Sequence, residues 1–251
     1  MSRSKRPKRI KKSAGARLRP YWVLFLLVAI AAAVGGYYAA TWPGFYPKHV
    51  TVSGNRVVPA SQILSRAQIA PQQNVWLQNA HQAAARIEAI PYVKTAQIRR
   101  SLPANVRIVV TERKPFAVLQ AGAQRAIVDR DLRVLEPDRG LPLVLPVIEL
   151  KSIALPGAGA FVRERGAARL RDDYIALEQA HVAVRSLHYD KFGDLVAATP
   201  GGVSLLLGDD TDLATKTPLI DPIISQVSAT GKKLAAVDLR APKTPVVVYK
   251  R

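Results

Sequence analysis

The feature that most constrains this chain is an uncharged, apolar stretch at residues 20–47. Its central part, Tyr21 to Ala40, is 20 residues long. As a helix rising about 1.5 Å per residue it would cover roughly 30 Å, the hydrocarbon thickness of a bilayer. Aromatic residues, which favour the headgroup interfaces, stand at both ends of the stretch. We therefore predict a transmembrane helix at residues 20–42 of a single-pass protein.

The charge around this segment predicts its orientation. The chain has a formal net charge of +19, and residues 1–19 hold nine basic residues and no acidic one. Because basic residues flanking a span favour the cytoplasmic side, we expect a basic cytoplasmic tail at residues 1–19 and a type II topology. The bulk of the chain then lies outside the cytoplasm. The competing interpretation is a cleaved signal peptide, whose apolar core would be about 7–15 residues long and would end in small residues.

The first part of the exported chain, residues 45–114, alternates short strands with short helices. A strand at 49–53 is followed by two short helical patterns, of which the second is capped by Asn79 and stopped by Pro91. A hairpin closes this unit, which gives the order β-α-α-β-β. We call residues 45–114 the first unit.

The second unit, residues 115–251, is dominated by short strands separated by turn residues. Helical periodicity is found at residues 163–184, where His181 falls on the apolar stripe and is expected in the core, and a further helix is predicted at 211–229. The last strand ends at Tyr249. This pattern predicts a mostly antiparallel β domain with flanking helices, so that the whole chain has an α+β fold class.

Short motifs follow one another in a fixed order after the apolar segment. In the first unit they are Phe45, Val50–Val52–Gly54–Asn55, Asn74–Val75–Trp76–Leu77, Ile90–Pro91–Tyr92–Val93, Ile98–Arg99–Arg100, Leu102–Pro103 and Glu112–Arg113–Lys114–Pro115. In the second unit they are Val128–Asp129, Leu141–Pro142, Gly208 with Lys216 downstream, and Val237–Asp238–Leu239–Arg240. As an ordered set they resemble the POTRA domain and the β domain of the FtsQ/DivIB family of bacterial cell-division proteins. That family usually carries Trp where Tyr92 stands.

The resemblance implies a non-enzymatic scaffold of the divisome, which takes part in septum assembly. It would lie in the cell (inner) membrane at the division septum, with its bulk periplasmic or otherwise extracytoplasmic. In this family the strand after the V-D-L-R motif recruits a strand of FtsB, which comes with FtsL. Carried over, this implies partner binding through Thr244, Pro245, Val246, Val247, Val248, Tyr249 and Lys250. The residues alone leave open whether this strand is an accepting edge or an ordinary core strand.

A basic excess lies close to the membrane, with seven basic residues against one acidic over residues 48–100. Such a face can attract inner-membrane lipid or an acidic protein, or it can be an ordinary solvated face. The candidates for a POTRA surface of this kind are Arg99, Arg100, Arg113 and Lys114.

The sequence offers no constellation of catalytic residues. There is no cysteine, no phosphate-binding or nucleophile motif, and no pair of the four histidines has the spacing of a zinc site. We therefore expect no enzyme, no metal, no cofactor, no small-molecule substrate and no nucleic-acid partner. The alternative from another class is a POTRA-containing factor for protein export or outer-membrane assembly, which would need repeated POTRA units and a C-terminal barrel.

Overall fold

The computed structural model describes residues 15–140, 144–151 and 154–250, with side chains from Tyr21 onward. The motif Leu141–Pro142 and residues 1–14 of the predicted tail lie outside the described residues. The first element is the helix α1 (Gly15–Thr41). Its segment Tyr21–Thr41 is long and apolar enough to cross a membrane, and it is apolar on all sides, as expected of a helix surrounded by lipid.

The first unit forms a three-stranded sheet covered by two helices. Its elements are β1 (His49–Ser53), α2 (Ala60–Ala67), α3 (Ala80–Glu88), β2 (Val93–Ser101) and β3 (Asn105–Glu112). The strand order is β1-β3-β2, with β1 parallel and β2 antiparallel to β3. The predicted order β-α-α-β-β is thus confirmed.

Local sequence explains why this unit folds as it does. The Asn79 side chain accepts a hydrogen bond from the N–H of Gln82 and so caps α3. Alternate residues of the strands pack against one apolar face of each helix. Ile63 lies on this face of α2, and Ile87 lies on that of α3. Gly54 follows β1 with a φ of +87°, and a Cβ there would lie 2.1 Å from the Val110 carbonyl oxygen, so that glycine is required at this turn.

The second unit forms a nine-stranded sheet. Its elements are β4 (Ala117–Ala121), β5 (Gln124–Val128), β6 (Val134–Pro137), β7 (Val147–Leu150), α4 (Arg165–Gln179), β8 (Ser186–Tyr189), β9 (Leu195–Ala198), β10 (Ser204–Gly208), α5 (Leu213–Ala229), β11 (Leu234–Asp238) and β12 (Val246–Tyr249). The order across the sheet is β12-β11-β10-β9-β8-β7-β4-β5-β6. Its mostly antiparallel pairing was predicted, although β4–β7, β7–β8 and β10–β11 are parallel. Helices α4 and α5 pack on this sheet over the largest apolar core.

The prediction for His181 is wrong. Helix α4 ends at Gln179, and His181 is exposed, with a φ of +59°. The backbone turns out of the helix here because the N–H of Val182 donates to the Leu177 carbonyl at 2.9 Å, which closes the helix end around a left-handed residue. The buried position after the helix is therefore taken by Val182.

A buried ion pair joins the two sheets. Arg113, which follows β3, pairs through Nη1 with Asp129, which follows β5, and both residues are buried. The same Nη1 lies 3.0 Å from the Asp131 carboxylate. Asp129 also accepts hydrogen bonds from the N–H groups of Asp131 (3.0 Å) and Arg133 (2.8 Å). The carboxylate is thus matched by one cation and two backbone donors, which a buried charge requires.

Further contacts surround this pair. Arg133 reaches back to the first unit, where its Nη2 donates to the Glu88 carbonyl at 2.8 Å. The Phe161 ring lies 5.6 Å from the Arg113 guanidinium and 5.7 Å from that of Arg133. The Tyr92 hydroxyl donates to the Glu136 carboxylate at 2.5 Å, and burial together with this bond raises the pKa of Tyr92. We call this set of contacts the junction.

We predict that Arg113→Ala destabilises the folded protein by about 3–5 kcal/mol, because it leaves the buried Asp129 carboxylate without its cation. The measurement is urea unfolding of the full-length protein in mild detergent, followed by the circular dichroism of its sheets. The matched control is Lys114→Ala at the exposed neighbouring position, which should change the free energy of unfolding by less than about 0.5 kcal/mol. Equal effects of the two substitutions would contradict the stabilising role of the ion pair.

Candidate partner-binding edge

Strand β12 lies at one edge of the nine-stranded sheet and, within the described part of the chain, pairs only with β11. The predicted partner-binding segment 244–250 is exposed throughout except at Val247, which is half-buried and packs on the large core. The structure therefore favours the accepting edge over the ordinary core strand. An apolar edge strand with free backbone groups is a template for another strand.

The hydrogen bonds of β12 indicate which backbone groups are free. The Lys250 N–H donates to the Lys233 carbonyl beside β11 at 2.8 Å. Successive residues of a strand point their N–H and C=O groups to opposite sides. The backbone groups of Val248 and Val246, two and four positions before Lys250, therefore also point at β11. The backbone groups of Val247 and Tyr249 then point away from the sheet, toward an incoming strand.

The V-D-L-R motif positions the turn that leads into this strand. Val237 and Leu239 are buried in the core, and the side chain of Asp238 accepts from the backbone N–H of Arg240 at 3.0 Å. Its other oxygen accepts from Arg240 Nη2 at 2.6 Å, and this pairing lowers the pKa of Asp238 and raises that of Arg240. Gly208 permits the arrangement, because its φ is +68° and a Cβ there would lie 2.9 Å from Arg240 Cγ.

The other residue of that motif set, Lys216, is a buried structural cation. It lies in α5, and its Nζ donates to the Asp209 carbonyl at 2.7 Å. This bond ties the first turns of α5 to the end of β10, next to β11. We therefore assign Lys216 to positioning the sheet rather than to contact with a partner.

Two other sheet edges are capped by the protein itself. Beyond β6, the N–H of Val134 donates to the Ala160 carbonyl (2.9 Å), and the N–H of Gly159 donates to the Val134 carbonyl (2.8 Å). At the edge strand β2, the Ala96 N–H donates to the Glu88 carboxylate at 2.8 Å. Among the described residues, β12 and β1 carry no such caps, and β12 is the more apolar of the two. Capping of this kind protects an edge from pairing.

The four basic residues predicted for a POTRA surface do not form one patch. Arg99 and Lys114 are exposed, whereas Arg100 is half-buried and donates to the carbonyls of Trp76 (3.2 Å) and Gln78 (2.6 Å). The prediction for Arg113 is wrong, because its guanidinium is buried at the junction, where carboxylates match its charge.

Trp76, Leu77 and Leu102 belong to the motifs that carry the resemblance, but the sequence did not predict a surface role for them. All three belong to loops and are exposed. Their signal in the sequence was an apolar run without strand or helix periodicity.

These observations define a class of protein. Its described residues form an N-terminal helix apolar enough to span a membrane, a POTRA-type unit and a mixed sheet with an open apolar edge. Residues 45–113 match the family described as the FtsQ-type POTRA domain. This match confirms the resemblance to the FtsQ/DivIB family of cell-division proteins that the motifs of the chain carry.

Individual relatives agree with this assignment. The chain is 28% identical over 94 residues to cell division protein DivIB of Clostridium acetobutylicum, which is 38% of each protein. It is 26% identical over 184 residues to FtsQ of Streptomyces coelicolor, covering 71% of this chain and 66% of that one. With FtsQ of Bradyrhizobium diazoefficiens it shares 22% over 209 residues, covering 81% and 57% respectively.

These relatives are matched over less than two thirds of their lengths. One solved structure is also similar, the major extracytoplasmic domain of DivIB from Geobacillus stearothermophilus. The match covers 47% of this chain and 97% of that one, with 12% identity and a TM-score of 0.31.

We predict that Asp238→Ala increases the rate of amide hydrogen exchange in residues 246–250, because the turn before β12 loses its carboxylate acceptor. The measurement is hydrogen–deuterium exchange with mass spectrometry on the full-length protein in detergent. The control is Asp221→Ala on the exposed surface of α5, which should leave exchange in β12 unchanged. Unchanged exchange in the Asp238 variant would show that the turn is held by other contacts.

Proposed function

We propose that this family member is a non-enzymatic, bitopic scaffold of the division machinery that acts at the septum in the inner membrane. Helix α1 anchors it, with residues 1–19 in the cytoplasm and the larger part of the chain outside. The uncharged span and the nine basic residues before it support this topology. The alternative of an export or outer-membrane assembly factor rests on the POTRA-type unit alone, which both classes share.

The proposed scaffold binds a partner by strand addition at β12. The single observation that carries this proposal is the open edge: β12 is exposed, apolar and unpaired on its outer side in the described chain. Main-chain hydrogen bonds to Val247 and Tyr249 would give affinity, and the exposed side chains of 244–250 would give specificity. By family resemblance, the partners are division proteins that resemble FtsB and FtsL.

The domain division belongs to the same proposal. We divide the chain into a tail (1–19), a transmembrane helix (20–42), a POTRA domain (45–114) and an FtsQ-type β domain (115–251). The observations that support the last boundary are the separate apolar cores of the two sheets and the buried ion pair that links them. In this arrangement the POTRA domain connects the membrane to the partner-binding sheet.

We predict that Val247→Pro lowers the affinity for the FtsB-like partner by at least about tenfold, because it removes an outward N–H donor and blocks the incoming strand sterically. The bonds between β12 and β11 do not use this N–H, so the sheet should stay folded. The measurement is binding of the full-length protein, in nanodiscs, to the co-purified FtsB-like and FtsL-like proteins of the same cell.

The matched control is Val247→Ala, which shortens the same side chain but keeps the N–H, and which should bind within about threefold of the unchanged protein if the backbone supplies the affinity. Tyr249→Pro at the second outward position should repeat the loss. A proline variant that is folded by circular dichroism and binds normally would remove β12 from the proposal. Separately, uniform membrane fluorescence of an N-terminal fluorescent fusion in dividing cells would contradict the septal role.

A further inference from the structure

An exposed apolar surface lies at the membrane end of the first unit, away from β12. It consists of Trp76, Leu77 and Leu102, which are 39%, 71% and 72% exposed. Trp76 and Leu77 belong to the loop before α3, and Leu102 belongs to the turn between β2 and β3. We call these three residues the apolar loop surface. Large apolar side chains grouped on a surface mark an interaction site more often than scattered ones do.

The apolar loop surface lies beside the last turns of α1. The Asn74 side chain, two residues before Trp76, donates to the Ala39 carbonyl at 3.4 Å. An open, almost entirely apolar depression separates the helix from the unit. It is lined on one side by Gly36, Ala39 and Ala40 and on the other by Phe45, Trp76 and Leu102.

This position determines the depth of the loops relative to a bilayer. The span needs about 20 residues to cross the hydrocarbon layer, and its segment ends at Thr41. Gly36 lies five residues before that end, or roughly 7–8 Å along the helix axis at 1.5 Å per residue. Side chains that share a depression with Gly36 and Ala39 are therefore level with the outermost part of the hydrocarbon layer, next to the headgroups. Trp is enriched at this level of membrane proteins.

Unpaired polar groups are costly near the hydrocarbon layer of a bilayer. Several backbone carbonyls of these loops accept hydrogen bonds from side chains of the protein. The Arg100 guanidinium donates to the carbonyls of Trp76 and Gln78. The indole Nε1–H of Trp76 donates to the Pro103 carbonyl at 3.4 Å. The carbonyls of Trp76 and Pro103 thus have donors within the protein.

Exposed cations lie around the same end of the unit. Lys48 stands just before β1, and its backbone N–H bonds to the Ala104 carbonyl, two residues beyond Leu102. Arg99 and Arg107 are neighbours across β2 and β3, and both are exposed. Cations at this height suit anionic headgroups, whereas the apolar side chains suit the acyl boundary below them.

From this arrangement we infer that the apolar loop surface docks on the outer leaflet of an anionic bilayer, with Trp76, Leu77 and Leu102 at the headgroup–acyl boundary. The first unit is then attached to the membrane at two places, α1 and these loops. Two attachments restrict its orientation more than α1 alone would. This inference concerns the lipid-facing end of the chain and does not depend on partner binding at β12.

The absence of cysteine from the chain allows a clean test. Single variants Leu77→Cys and Leu102→Cys, each carrying a nitroxide label, are placed as full-length protein in nanodiscs of phosphatidylcholine and phosphatidylglycerol. Val57→Cys is the matched control, because Val57 is 60% exposed and lies beyond the opposite end of β1. The ratio of collision rates with oxygen to those with a water-soluble nickel complex should be higher at positions 77 and 102 than at 57.

Trp76 supplies a second readout without a label on the loops. In a chain with Trp22→Phe and Trp42→Phe, Trp76 is the remaining tryptophan, and its emission should fall in nanodiscs of brominated lipid relative to ordinary lipid. Collision ratios equal to that at position 57, together with unquenched Trp76 emission, would overturn the inference. Labels at 77 and 102 that are water-accessible alone, and shielded only after a division partner or a second copy is added, would also overturn it.

Discussion

The buried pair of Arg113 and Asp129 is the interaction on which the arrangement of this protein depends. The pair connects the end of β3 to the end of β5, and thereby one sheet to the other. Removing two charges from water is costly, and the cost is offset only where geometry and additional hydrogen bonds are good. Here the backbone N–H groups of Asp131 and Arg133 supply those bonds. Because its two buried charges come from different units, the pair couples the position of the first unit to that of the second.

The junction lies at one edge of the nine-stranded sheet, and β12 forms the other edge. Glu136, in the edge strand β6, accepts from Tyr92 of the first unit, so that this edge of the large sheet lies at the junction. β12 is the opposite edge, and at about 4.8 Å per strand spacing the two edges are roughly 40 Å apart. The edge at the junction is capped, whereas the opposite edge is open.

Much of the fold could be predicted because its signals are local. The length and apolarity of residues 20–42 predicted α1, and the turn and cap residues, among them Asn79 and Pro91, predicted the β-α-α-β-β order. The predictions that failed depended on distant contacts. His181 has helical periodicity with α4, but the helix ends before it, where the N–H of Val182 donates to the Leu177 carbonyl. Arg113 is a charged residue of a type usually found on the surface. Its side chain is buried because it pairs with Asp129 of the other unit.

The sequence by itself determined the long apolar helix, most element types and the resemblance to the FtsQ/DivIB family, since these follow from periodicity, capping residues and ordered motifs. It could not decide which strands are edges, because strand order across a sheet depends on pairings between residues far apart in the chain. The tertiary structure placed β12 at an open edge and capped β6 and β2 with groups from elsewhere. It also brought Trp76, Leu77 and Leu102 beside the last turns of α1. This position, which depends on contacts between distant residues, is the reason for the inference that these loops contact lipid.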